Sequence, residues 1–168
     1  LGVAILNSNA ETHFSFTNAL GMMSVEQARR LEAAVGRFLH AHWIIALHHH
    51  LIEYPMSVAT FSERVGTALI NGSWFIRKIK SFAPRAIVMH GHRHIDWIGT
   101  FGSLKVISAP SPVMAAADAA STHFYIHRLA AGPGEQLCLL EPERIDLLAG
   151  ARDRADAAED TTARSSVE

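Results

Sequence analysis

The sequence is poor in several features that mark whole classes of protein. A single cysteine, Cys138, stands among 168 residues, which excludes an internal disulfide framework and is compatible with a reducing compartment. We therefore expect a cytoplasmic location, with Cys138 as a small buried residue. No apolar run approaches the roughly 20 residues that a membrane-spanning helix needs. Lysine plus arginine number 15 and aspartate plus glutamate 16, so charge gives no case for binding nucleic acid or an anionic membrane.

The chain also lacks an initiator methionine and the basic, apolar and small-residue regions of a signal peptide. It opens on Leu-Gly-Val-Ala-Ile-Leu, which has the composition of a buried strand. We therefore expect a fragment whose upstream part, with any targeting signal, is absent. Residues 150–168 are small, charged and rich in alanine, and we expect a disordered tail there. Residues 1–149 would then form one partial domain.

Apolar patterning predicts an α/β fold whose first half consists of parallel crossover units. Strands are expected at the start of the chain, over Trp43–Leu47, and in the run that ends at His90. A helix is expected over 24–41, where Ser24 and Gln27 have the spacing of a capping box. Two further helical segments, 62–70 and 73–82, are separated by an Asn-Gly pair.

The second half of the sequence predicts antiparallel strands. A hairpin is expected to turn at Gly102-Ser103. The segments "STHFYIHRL" and "QLCLLE" then have the alternation or apolar character of strands.

Histidine is the residue type in excess, with 11 in the chain. Two groups directly follow predicted strands, at 48–50 and within His-Gly-His-Arg-His at 90–94. Because the carboxyl ends of parallel strands meet at one edge of a sheet, we expect the groups to lie side by side. Neutral imidazole suits Zn, Fe, Mn, Ni or Co, and Gly91 would let the backbone turn sharply between ligands. The pattern favours a metal site over histidines that serve only the surface or core edge.

Both groups resemble motifs of one superfamily. "VMHGHRHID" resembles the Gly-His-x-His motif of the calcineurin-like metallophosphoesterases, and "IIALHHHLIEYP" resembles their strand ending in His-His-Pro or His-His-His-Pro. "VISAPSPVM" is similar to their segment after the hairpin, and "ILNSNA" stands where many members have Leu-Asp-Ser. The resemblance covers about residues 1–141 and is closest to bacterial cyclic-nucleotide phosphodiesterase-like members.

The resemblance implies the C-terminal half of a four-layer α/β/β/α sandwich. It also implies two divalent or trivalent metal ions, of Mn, Fe, Zn, Ni or Co, that serve hydrolysis of a small phosphomonoester or phosphodiester. Two such cations lower the pKa of a bound water and hold the attacking and leaving oxygens. With half the sandwich absent, an apolar sheet face would be exposed, and we expect self-association through it.

By motif position, the resemblance implies that His48 and His92 bind one metal ion and that His94 binds the other. His49 is the alternative to His48 if the register shifts by one residue.

Four further residues complete the implied site. His90 and Asp96 are candidates either as metal ligands or as groups that orient a ligand. The alternatives are a structural histidine and an exposed carboxylate. His50 and Arg93 are expected near the substrate, the alternatives being a loop residue and a solvent-facing side chain.

The superfamily's other motifs, Asp-x-His, Gly-Asp-x-x-Asp and Gly-Asn-His, do not occur in this sequence. They supply the bridging carboxylate and the catalytic histidine, so no catalytic residue is identified here and we expect those residues upstream. The chain alone is expected to be inactive. A non-catalytic metal-binding or interaction module and a histidine-rich domain without metal are the competing hypotheses. Neither Ser8 nor Ser111 stands in a recognisable Ser-His-Asp arrangement.

Overall fold

A computed structural model of the chain describes residues 1–9, 21–39, 41–52, 68–113, 121–132 and 137–148. The chain divides into two compact units, Leu1–Pro110 with Gly132–Leu137 and Ser111–Ala131 with Cys138–Glu168. Residues 62–67 of the helix expected over 62–70, and the tail expected over 150–168, lie outside the described residues. Within those ranges no helix has the length and hydropathy to cross a bilayer.

The first unit contains a five-stranded sheet in the order β1-β2-β3-β5-β4. Its strands are β1 (Gly2–Ile5), β2 (Trp43–Ala46), β3 (Ile87–His90), β4 (Trp97–Phe101) and β5 (Leu104–Ser108). All neighbours are parallel except β4, which pairs antiparallel with β5 through the hairpin predicted at Gly102-Ser103. The α/β class is therefore confirmed, and Gly102 takes the positive φ of 67° that the turn requires.

Helix α1 (Val25–Arg37) begins where the sequence predicted but ends earlier. The Ser24 hydroxyl accepts the backbone N–H of Gln27 at 3.1 Å, as in a capping box. The helix ends in a turn in which the N–H of Phe38 donates to the carbonyl of Val35. It is thus shorter than the predicted range 24–41.

Helix α2 (Gly72–Phe82) confirms the predicted segment 73–82 to within one residue. The preceding segment does not fully match its prediction, since Ala68 and Leu69 form single β-bridges with His50 and Gly21. Pairing with these distant segments satisfies the backbone there and overrides the local helical pattern. This change matters because one of the bridges anchors the histidine run after β2.

The core of this unit lies between the two helices and one face of the sheet. Leu31 of α1 and Phe75 of α2 are buried against strand residues such as Ile45 and Val88. Apolar side chains on β1 remain exposed, Val3 by 59% and Ile5 by 84%. The described residues of this unit thus form one helical layer and one sheet layer, while the four-layer sandwich and self-association stay predictions.

The second unit is built from short antiparallel strands. Strand β6 (Ser121–Ile126) pairs with β9 (Glu143–Leu148), and β7 (Leu129–Ala131) pairs with β8 (Leu137–Leu139). The sequence predicted β6 and β8 but missed β7 and β9. Charged residues interrupt the apolar pattern of β9. Cys138 is exposed, so the prediction of a buried cysteine was wrong. A two-stranded ribbon cannot enclose the side chains on both of its faces.

Candidate metal centre

The two histidine groups lie side by side at the carboxyl edge of the sheet, as the sequence predicted. Parallel pairing sets Ala46 of β2 beside Met89 of β3, so both strands end at the same level. Beyond the strands, the N–H of Leu47 donates to the carbonyl of Met89, and the N–H of Gly91 donates to the carbonyl of His48. Backbone hydrogen bonds therefore hold the two histidine-bearing loops together.

Three imidazoles converge between these loops. One ring nitrogen from each of His48, His49 and His92 lies within 4.8 Å of the others, an arrangement that could hold a metal ion. His48 Nε2 and His92 Nδ1 are hydrogen-bonded at 2.7 Å. The ring centroids are 4.6 Å apart for His48 and His92, 4.6 Å for His49 and His92, and 4.9 Å for His48 and His49. We call these three residues the histidine triad.

Two more histidines extend the triad on its buried side. The ring of His50 lies 5.5 Å from that of His90 and 5.8 Å from that of His92, measured between centroids. Both His50 and His90 are buried. His50 contacts His92 of the triad, and His90 contacts His50, but neither joins the triad. Whether they orient a ligand or approach the substrate stays a prediction.

The remaining predicted site residues lie at the exposed side of the loop after β3. His94 and Asp96 are exposed, and Arg93 is half-buried. Within the described residues the triad includes His49 and not His94. The positive charge of Arg93 contributes to lowering the pKa of both His50 and His92, so Arg93 lies within electrostatic reach of the site. The ligand role of His94 stays a prediction.

In the turn after β3, the residues with left-handed backbone are not the one that the sequence predicted. His92 and His94 have positive φ angles of 73° and 57°, whereas Gly91 is outside the left-handed region. A Cβ added at Gly91 would meet no atom within 4 Å. The prediction that Gly91 provides the turn was therefore wrong. Histidine is one of the residues that tolerates left-handed backbone, and such strain is typical of functional loops.

Ser8, which follows β1, anchors the histidine run after β2. Its hydroxyl oxygen accepts the backbone N–H groups of His48 at 3.2 Å and His49 at 3.1 Å, and lies 2.9 Å from His49 Nδ1. Ser8 is 1% exposed and His49 2%. A buried hydroxyl engaged in this way is no accessible nucleophile, so the contact does not indicate a serine hydrolase.

Two side-chain amides hold the segments around Ser8 and His49. The Oε1 atom of Gln27 accepts the N–H of Asn7 at 2.9 Å, and its Nε2 donates to the Asn7 carbonyl at 2.8 Å. Asn71 makes the same pair of bonds with the backbone of Met23, at 3.0 and 2.7 Å. Sequence reasoning missed Ser8 and both amides as site components. Of these three residues, only Gln27 had a signal in the sequence, its position in the predicted capping box.

Burial lowers the pKa of three histidines at this site. It is the largest cause for His50, whose pKa falls to about 3 with the charge of His90 as the next cause. It is also the main cause for His90, whose pKa falls to about 4. The pKa of His92 is lowered first by burial and then by His48. These imidazoles are therefore neutral near pH 7, which is the form that binds metals.

Mild acid is expected to destabilise the metal-free chain through His50 and His90. The unfolded chain protonates both near pH 6.5, whereas the folded chain does so only near pH 3 and pH 4. The unfolded state thus binds more protons between these limits. The free energy of unfolding is therefore unaffected by these two histidines above pH 6.5. Below pH 6.5 it falls by about 1.4 kcal/mol per pH unit for each histidine.

Urea unfolding of the chelator-treated chain would measure this between pH about 6.5 and about 5, above the range where most carboxylates titrate. His90→Gln is expected to reduce the slope by about half. A free energy of unfolding that stays constant over this interval would contradict the burial of neutral histidines.

Comparison with known proteins finds few matches. No family model matches the chain, and no curated protein matches it. The chain is similar to the crystal structure of a "Putative 5'-Nucleotidase" from Staphylococcus aureus in complex with alpha-ketoglutarate, with a TM-score of 0.46 and 14% sequence identity over 89% of this chain. It spans 28% of that protein. A similarity at this level does not establish a shared fold.

Proposed function

We propose that this chain carries the histidine side of the metal centre of a phosphoester hydrolase, a phosphodiesterase or a phosphomonoesterase. The observation that carries the proposal is the histidine triad, with its three ring nitrogens within 4.8 Å of one another at the carboxyl edge of a parallel sheet. This edge is where open α/β sheets place their functional groups. The resemblance of both histidine motifs to metallophosphoesterases supports the reaction class.

The triad residues fit a first-row transition metal. Imidazole nitrogen is a ligand for Zn, Ni, Co, Mn and Fe, and burial favours the neutral form of His92. We assign His48 and His92 to one metal ion, since their nitrogens are already 2.7 Å apart. His94, two residues after His92 on the same loop, is assigned to a second metal ion by its motif position. When bound, the metals would supply a water of lowered pKa and positive charge for phosphoryl oxygens.

The charges around the triad favour an anionic substrate. The pKa of His92 is lowered first by burial, then by His48, His94 and Arg93, and Arg93 is the permanently charged group among these neighbours. Arg93 presents a guanidinium, which binds phosphate oxygens in a fixed fork geometry. We therefore propose that Arg93 and His50 lie near a small phosphoester substrate.

The carboxylates of a dinuclear centre are proposed to come from polypeptide outside these 168 residues. The sequence contains none of the three motifs that supply them in the superfamily. The group that could hold a metal ion among the described residues consists of histidines alone. That composition also favours a second candidate function, a metal-binding module without catalysis.

The isolated chain, supplied with Mn²⁺ and bis(p-nitrophenyl) phosphate, is expected to release nitrophenol no faster than Mn²⁺ alone. Extending the chain through the upstream reading frame, to include the missing carboxylates, is expected to produce metal-dependent turnover that His92→Ala removes. The same assay with p-nitrophenyl phosphate separates phosphodiesterase from phosphomonoesterase activity.

Two other results would change the proposal. Strong metal-dependent turnover by the isolated chain would contradict an external source of carboxylates. An extended chain that binds metal but hydrolyses neither substrate would contradict the hydrolase and favour the metal-binding module.

A further inference from the structure

One member of the triad differs from the other two in its hydrogen bonding. His49 Nδ1 lies 2.9 Å from the hydroxyl of Ser8. The other two members, His48 and His92, are hydrogen-bonded to each other through Nε2 and Nδ1. The state of the Ser8 hydroxyl therefore determines which nitrogen of His49 carries the proton. This choice decides whether His49 can act as a metal ligand.

The Ser8 hydroxyl is constrained by its other bonds. A hydroxyl oxygen has one hydrogen and two lone pairs. Both lone pairs are directed to backbone donors, the N–H groups of His48 and His49. The hydroxyl hydrogen is then left for His49 Nδ1, which must accept it with its own lone pair. Neutral His49 consequently carries its proton on Nε2.

This pattern is the reverse of that of a histidine that binds a metal. Such a histidine almost always donates the N–H of its second nitrogen to a carbonyl, carboxylate or water. For His49 Nδ1 to donate, Ser8 would need a third acceptor position or would have to release a buried backbone N–H. Leaving such a donor unsatisfied is unfavourable. His49 as held by Ser8 offers a donor N–H and not a free lone pair.

The surroundings of His49 keep the ring in this orientation. Gly21 packs against it so closely that a Cβ at position 21 would overlap Cγ of His49. Asn7, the residue before Ser8, is held in turn by two hydrogen bonds between its backbone and the side-chain amide of Gln27. Ser8 and His49 are both almost completely buried. The pair is therefore a rigid unit that can set a tautomer.

We infer that Ser8 fixes His49 as an N–H donor to an oxyanion, such as a phosphate oxygen, beside a metal ion held by His48 and His92. The inference rests on the proposed function for the identity of the anion, but the tautomer follows from the metal-free structure alone. Ser8 acts as a positioning residue, and His49 contacts the anion. The metal ligands and the anion donor are thereby assigned to different members of the triad.

The tautomer can be measured directly by long-range ¹H–¹⁵N correlation spectra of the chelator-treated chain labelled at histidine. We expect His49, identified by the signals lost in His49→Gln, to show the proton on Nε2. Ser8→Thr keeps the hydroxyl and is expected to keep this tautomer. Ser8→Ala is expected to mix the two tautomers. A wild-type His49 protonated on Nδ1 would overturn the inference.

Metal and phosphate titrations test the division of roles. His49→Gln is expected to change the dissociation constant of Co²⁺ by less than about threefold, because no ligand is lost. It is expected to weaken binding of inorganic phosphate to the Co²⁺-loaded chain by about tenfold, because a hydrogen bond to an anion is lost. Loss of Co²⁺ binding in His49→Gln, or unchanged phosphate binding, would overturn the inference. A wild-type chain that binds no Co²⁺ would contradict the proposed function, while the tautomer spectrum would still decide the role of Ser8.

Discussion

Replacing His92 with alanine is expected to raise the dissociation constant of Co²⁺ or Zn²⁺ by more than about 100-fold. This exceeds the roughly 10- to 100-fold effect of removing a group that only orients a ligand. His92 is the common neighbour in the site, since its ring contacts those of His48, His49 and His50. No other residue of the triad contacts as many of the clustered histidines. Its loss should therefore disrupt the centre more than any other single substitution.

The backbone of His92 requires a matched variant, because its φ of 73° lies in the left-handed region. Alanine adopts that region at a cost, whereas asparagine tolerates it. His92→Asn should therefore lose metal as His92→Ala does, while retaining more of the wild-type stability. His42→Ala removes a histidine outside the triad and is expected to leave binding unchanged.

Thermal unfolding with and without metal gives an independent readout. A ligand at about 100 times its dissociation constant stabilises the native state by about 2.7 kcal/mol. We expect this stabilisation in the wild type and in His42→Ala, but not in either His92 variant. Retention of tight metal binding by both His92 variants would show that the triad is not the metal site.

Among the glycines whose surroundings the structure describes, Gly72→Ala is expected to produce the largest loss of stability of any change to alanine, about 3 kcal/mol. A Cβ at position 72 would overlap the backbone carbonyl oxygen of Leu51. Neither group can move easily, because Gly72 begins α2 and Leu51 is 1% exposed. Since Leu51 directly follows His50, a shift of its backbone would also displace the histidine run.

Gly36→Ala provides the control for this effect. Gly36 lies on the exposed side of α1, and a Cβ there would meet no atom within 4 Å. This change is expected to stabilise the chain by about 0.5–1 kcal/mol, because alanine loses less entropy in a helix than glycine does. Urea unfolding of both variants measures the difference. A Gly72→Ala variant as stable as Gly36→Ala would contradict the close contact with Leu51.

The sequence predicted that the two histidine groups lie side by side because their placement depends on simple periodicities. Apolar runs that end at Leu47 and Met89 mark two strands, and their parallel pairing brings the following histidines to one edge. The start of the helix at Ser24 could be predicted for the same reason, since it depends on a hydrogen bond between groups only three residues apart in the sequence. Features of this kind need no knowledge of distant contacts.

The membership of the triad could not be predicted in the same way. The triad contains His49 because Ser8, 41 residues earlier in the chain, binds its ring and backbone. His94 lies outside the triad in a loop where alternate residues, His92 and His94, take left-handed backbone. The position of a residue in the motif does not reveal the hydrogen bond between Ser8 and His49. Nor does it reveal that histidines, and not Gly91, take the left-handed backbone in the turn after β3.

The side chain of Asn71 also links this site to the chemical ageing of the protein. An Asn-Gly sequence is prone to deamidation, because the glycine amide nitrogen can attack the side-chain carbonyl carbon. Here the amide of Gly72 donates to the Leu69 carbonyl at 3.0 Å, and the Asn71 side chain is bound to both polar groups of the Met23 backbone. Conversion to aspartate would replace the donor to the Met23 carbonyl with a negatively charged acceptor. Deamidation at Asn71 requires these hydrogen bonds to break, so its rate would report how often the segment around Asn71 and Gly72 unfolds locally.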